Sequence, residues 1–98
     1  MQTIEKILMT IITEQNLEKG IIMDLENLGV NAYTIVEARG KGGSGIKSGT
    51  WMNDTNIQIE LILDDELAKK ISNYISDTKK YKNYSMMVHS SIVNVLQL

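Results

Sequence analysis

Residues 4–13 read IEKILMTIIT, and in an extended chain both alternating sets of side chains are apolar. Ile4, Leu8 and Ile12 fall on one face, and Ile7, Met9 and Ile11 fall on the other. A strand of this kind must be covered on both faces. A chain of 98 residues makes one domain, 1–98, and helices of its own can cover only one side of that strand. The other side needs something else.

The remaining periodicity supplies the helices. Thr13 or Asn16 is placed to cap a helix that carries Leu17, Ile21, Leu25 and Leu28 on one stripe, and Gly29 stands where a left-handed residue would end it. Asn31 to Arg39 reads as a second strand. From Gly40 to Thr55 the periodicity vanishes, and five glycines within ten residues mark a long loop. Asn56 to Leu63 alternates cleanly at Ile57, Ile59, Leu61 and Leu63 as a third strand. Asp64 and Asp65 provide the N-cap and first-turn acids of a second helix, with Leu67, Ile71, Tyr74 and Ile75 on its apolar side. Lys79 to Tyr84 is a polar, basic connection, and Met86 to Leu96 is the fourth strand.

The order is βαββαβ. Two right-handed crossovers turn it into an α+β, ferredoxin-like sandwich: an antiparallel four-stranded sheet with both helices on one face. The opposite face then exposes Ile, Met and Val side chains of strands one and four. A patch of that size predicts a homo-oligomer packed through the open sheet face.

Composition removes several functions. Ten Lys and Arg against twelve Asp and Glu give a net charge of -2, which argues against general nucleic-acid or membrane-surface binding. With no cysteine there is no disulfide, thiolate nucleophile or cysteine-bound zinc. His89, the single histidine, lies mid-strand without other ligands beside it and reads as a core or interface histidine rather than a metal ligand. Glu60 alternates away from Ile57 and Ile59, as an exposed or interface-paired acid. Thr13-Glu14 reads most simply as a helix start. No activated nucleophile or carboxylate pair is evident, so enzymatic activity is not expected. RNA-recognition domains share the βαββαβ order, but they stack bases on sheet aromatics, and strands one and three here carry none. No apolar run reaches the ~18 residues of a membrane span, so a soluble, cytoplasmic domain is expected.

The glycine-rich loop ends in Lys47-Ser48, but Ile46 stands where a P-loop needs glycine, and the loop joins two strands rather than a strand and a helix. A weaker reading remains open. Arg39, Lys41 and Lys47 are the charged residues of 38–53, and glycine backbone can approach an anion closely; the alternative is a solvated hairpin tip. Trp51 either packs back on its own sheet or is held out for a partner. Lys79, Lys80 and Lys82 form either a solvated helix end or, in an oligomer, the second half of an anion site at the base of a neighbour's loop.

Taken in order, Thr13-Glu14, Gly29 with Tyr33-Thr34, Gly40-Lys41-Gly42, Asn56-Ile57 with Glu60, Tyr84 and Val95-Leu96 resemble the PII-like signalling proteins. The likeness is to the SbtB type and the carboxysome-associated PII-like proteins, and it covers nearly the whole chain. It implies a homotrimer with adenine-nucleotide sites in the clefts between neighbours. It also implies a T-loop, here 40–55, that docks on a membrane transporter of bicarbonate type or on an enzyme. On the residues that match, Gly40, Lys41, Gly42 and Lys47 would meet phosphate, with Arg39 and Lys82 in support, and Met86, Met87 and Val88 would bring backbone to the adenine. Ser44, Ile46 and Trp51 would belong to the partner-binding part of the loop.

Ser44 stands where SbtB-type loops carry an arginine, and Lys47 replaces a second one, which cannot make a planar two-pronged contact. The resemblance therefore implies AMP or ADP rather than ATP or cyclic AMP, with bicarbonate as a second ligand. Redox control through a cysteine is not expected, nor is the signalling that uses a uridylylated tyrosine. The competing expectation is a CutA-like or other ferredoxin-like trimer, structural or metal-binding, without nucleotide sensing. The resemblance places the protein in the cytoplasm, peripheral to the membrane through a transporter partner.

Overall fold

The computed structural model describes residues 2–40 and 55–98. Four strands, β1 (Thr3–Glu14), β2 (Thr34–Arg39), β3 (Thr55–Leu63) and β4 (Met86–Leu96), form one sheet in the order β2-β3-β1-β4. All three pairings are antiparallel. Helix α1 (Glu18–Leu28) joins β1 to β2, and α2 (Asp65–Asp77) joins β3 to β4. This is the ferredoxin-like βαββαβ arrangement, with the two helices on the same face.

Register decides which side chains the helices cover. Ile7, Met9, Ile11 and Thr13 of β1 stand opposite Leu63, Leu61, Ile59 and Ile57 of β3. Met9, Ile11, Ile57, Ile59 and Leu61 are fully buried there, beneath Ile21 and Leu25 of α1 and Ile71 of α2. The i, i+4 spacing of Ile21 and Leu25 keeps them on one stripe, as amphipathic packing requires. The even-numbered positions of β1 point to the bare face. On it Ile4, Val36, Ile62, Met87 and Val95 are between 37% and 59% exposed. Ile92 and Leu96 are also exposed, although they share the helix face.

The second helix starts as expected: Asp64 Oδ1 accepts from the Leu67 N–H at 2.9 Å. At the end of α1, Gly29 adopts φ 115° and the Val30 N–H donates to the Leu25 carbonyl at 3.0 Å. Val30, buried at 4% exposure, then covers the turn.

Three expectations need correction. Neither Thr13 nor Asn16 caps α1; a 3₁₀ turn, Gln15–Leu17, leads into it and Leu17 occupies the N-cap without a side-chain bond. Strand β2 begins at Thr34 rather than Asn31, because the chain spends 31–33 coming round from buried Val30 to the sheet edge. Thr55 belongs to β3, paired with Arg39, so the connection between the two strands is 40–54.

Candidate functional site

Two pockets lie at opposite edges of the sheet. One, of about 270 Å³, is lined by Ile75 and Thr78 at the end of α2, by Tyr81, Lys82 and Tyr84 of the following connection, and by Met86 and Val88 of β4. The other, of about 370 Å³, is lined by Glu37, Ala38, Arg39 and Thr55 at the base of the long connection. Strands β3 and β1 stand between the two edges. Three interstrand steps separate them by about 14 Å.

The first pocket holds its shape through a buried carboxyl. Asp24 of α1 accepts from Lys80 Nζ at 2.8 and 3.0 Å and from the Tyr81 hydroxyl. Burial alone would raise the Asp24 carboxyl, but the hydrogen bonds from Lys80 and Tyr81 outweigh it and hold the group below the usual carboxylate range. The contact with Asp24 raises the Lys80 ammonium, and burial followed by the bond to Asp24 pushes the Tyr81 phenol up. This tie pins the 78–85 connection onto α1 across more than fifty residues of sequence.

A second tie fixes the entry to β4. The Thr13 hydroxyl donates to the Ser85 carbonyl at 2.7 Å, and the Ser85 N–H donates to Glu14 Oε2 at 2.6 Å. Both peptide groups beside Ser85 are thereby held just ahead of Met86. Thr13-Glu14 is thus an anchor for β4 and not a helix cap.

The expected site residues divide accordingly. Lys82, Met86 and Val88 come together in the β4-side pocket. Met87 does not join them, since alternation turns it to the bare face, where it is 59% exposed. Arg39 and Gly40 lie at the other edge, and the Gly40 carbonyl accepts from Asn56 Nδ2 at 3.4 Å. Lys80, read from the sequence as part of the basic stretch, is committed to Asp24. Lys41, Gly42, Ser44, Ile46, Lys47 and Trp51 lie outside the described residues. Half-buried Glu60 accepts from Gln58 at 3.3 Å, and His89 is exposed on the bare face rather than buried in the core. Asp24 was not singled out in the sequence, and Glu14 was read there as part of a helix start; acids placed against an apolar helix stripe and at a strand end were their only local signals.

Among the described residues no three His, Cys, Asp or Glu are grouped to hold a metal ion, and no helix is long and apolar enough to cross a membrane.

The family model of nitrogen regulatory protein P-II matches residues 6–97. The chain belongs to the P-II family. A protein of Thermus thermophilus described as a PII-like signalling protein is 32% identical, with a TM-score of 0.78 over 98% of this chain and 94% of that one. CPII of Thiomonas intermedia, bound to ADP and bicarbonate, is 25% identical with a TM-score of 0.78 over 96% and 91% of the two chains. A further CPII structure, bound to ADP, AMP and bicarbonate, aligns at 21% identity with a TM-score of 0.77 over 99% of each chain and shows the shared fold. No curated protein matches the sequence. The P-II family is one of regulatory proteins, and the fold expected from the residue pattern is the one this family uses.

Proposed function

We propose that this P-II protein is a homotrimeric sensor of an adenine nucleotide, AMP or ADP, with bicarbonate as a second ligand. It reports the bound state through residues 40–54 to a transporter or an enzyme. The observation that carries the reading is the placement of two half-pockets, Arg39 with Glu37, Ala38 and Thr55 and Lys82 with Met86 and Val88, at opposite sheet edges. At about 370 and 270 Å³ both stand at the low end of the sizes ligand pockets take. Brought together by a neighbouring copy, they make one cleft with phosphate-binding charge on one wall and the β4 backbone on the other. The exposed apolar face supplies the reason for such a copy to be there. CPII, a family member, binds ADP and bicarbonate.

In this mechanism Arg39, Lys41, Lys47 and Lys82 meet the phosphate, the Gly40–Gly42 backbone approaches it closely, and the Met86–Val88 backbone takes the adenine. The ligand favours one arrangement of the loop by differential contact, and the partner reads that arrangement through Ser44, Ile46 and Trp51. Calorimetric titration with AMP, ADP, ATP and cyclic AMP, with and without bicarbonate, tests it once the mass in solution is known. Micromolar binding of AMP or ADP to a trimer is the expected result; a trimer that binds no nucleotide overturns it. Lys41→Ala should weaken binding about tenfold or more while leaving the trimer intact, the scale of a lost charge-assisted phosphate contact.

A further inference from the structure

The carboxyl group of Glu14 is engaged on one side only. Its residue is 4% exposed, Oε2 accepts from the Ser85 N–H, and Oε1 is sealed from solvent without a hydrogen-bond partner among the described residues. A buried acceptor in that condition is unfavourable and calls for a donor in some state of the molecule. The Thr13 hydroxyl is already given to the Ser85 carbonyl. Directly opposite Glu14 across the β1–β3 pairing stands Asn56, on the same bare face of the sheet. Side chains in such positions have Cβ atoms only about 5 Å apart. The Asn56 amide donates to the Gly40 carbonyl at 3.4 Å, longer than an ordinary N–H···O bond.

We infer that Asn56 is a positioning residue that passes its amide between two acceptors, the Gly40 carbonyl and Glu14 Oε1, and so couples the β4 half of the site to the residue that opens the long connection. The chain of contacts is Ser85 to Glu14, Glu14 to Asn56, and Asn56 to Gly40. A ligand that moves the Ser85 peptide moves the carboxyl bonded to it. Bringing Oε1 onto the Asn56 amide releases Gly40, and moving it away restores the Gly40 bond. The two arrangements differ by one hydrogen bond exchanged, so a modest difference in ligand contact selects between them. This inference rests on the nucleotide reading of the site.

The test uses the full-length chain and ADP, with Trp51, the single tryptophan, as an emission probe of the loop. Glu14→Gln keeps an oxygen for the Ser85 N–H but puts an amide where Oε1 stood, so it cannot accept from Asn56. Asn56→Ala removes the shared donor, while the Glu14 carboxyl and the Ser85 N–H both remain. Both variants should still bind ADP, with affinity changed by no more than about tenfold, the scale of a lost coupling rather than a lost set of contacts. Both should lose most of the ADP-induced change in Trp51 emission, and the double variant should be no worse than either single one, since the residues act in one chain. Variants that keep the full emission change overturn the coupling. So does a wild-type protein that binds ADP with no change in emission, and that result leaves the nucleotide site standing. A wild-type protein that binds no ADP overturns the site reading instead. Ligand-free hydrogen exchange at the Ser85 amide then decides the coupling, because Asn56→Ala must alter its protection, and unchanged protection sinks it.

Discussion

Asp24 faces two donors from a connection more than fifty positions away, and the balance among them sets how firmly the β4-side pocket is built. Tyr81 is 8% exposed, so its hydroxyl has no water to fall back on. Replacing it with Phe leaves Asp24 buried with one donor residue fewer. The expected loss is about 1.5–3 kcal/mol, the range for a hydrogen bond to a charged group, read from the urea midpoint. The pH dependence follows from the direction of each shift. A carboxyl lowered in the folded state stabilises fully above its unfolded value of about 3.9, and that contribution is lost as pH falls through the lower, folded value. Lys80 and Tyr81 are raised on folding, so their contributions are complete below about pH 10 and fade as pH climbs through the folded values. The stability difference between wild type and Asp24→Asn should therefore be flat from about pH 4 to 10 and shrink on either side. A difference that varies within that plateau would remove Asp24 from this role.

At the scale of elements, the ends of the helices and strands are where local chemistry was sufficient. Helix α2 begins where Asp64 caps it, and β4 spans Met86–Leu96 as its composition predicts, because both signals lie within a few residues of the feature they specify. Gly29 ends α1 for a similar reason. A Cβ there would meet only Leu67 Cδ1 at 3.8 Å, so Gly29→Ala is opposed by its φ of 115° and not by crowding. It should cost about 1–2 kcal/mol in thermal or urea unfolding. Asp64→Ala should cost about 1 kcal/mol through the lost cap. The start of α1 was misread because Thr13 is a good capping residue by type, while its hydroxyl is drawn to a carbonyl 72 positions away. A separation of 71 hid the role of Glu14, and Asp24 was hidden by its 56- and 57-residue separations from Lys80 and Tyr81. Those contacts exist only once the strands have chosen their order. The candidate site was thus legible as two basic segments of the sequence, but not as the acids that brace one of them.

For the molecule as a whole, the bare sheet face decides what one chain can do alone. Ile62, 51% exposed and paired with Leu8 at its centre, is a suitable place to test this. Ile62→Glu sets an unpaired carboxylate into any interface formed there. Sedimentation should show the proposed oligomer dissociating, with nucleotide binding lost alongside it, because the proposed cleft is assembled between copies. Lys82→Ala should instead preserve the mass and weaken binding alone. If Ile62→Glu remained a full oligomer, assembly would use another surface.

The sheet order carries one more consequence. Since the Arg39 edge and the Lys82 edge are on opposite sides of one chain, the proposed cleft between copies lets two crippled subunits each supply what the other lacks. A protein damaged at Arg39 still offers a sound β4 edge, and one damaged at Lys82 still offers a sound loop base. Mixed at random in equal amounts in a closed ring, the two kinds of chain should leave about one cleft in four with both walls intact. Two inactive preparations would then regain binding on being unfolded and refolded together, which is complementation between alleles written into the order of four strands.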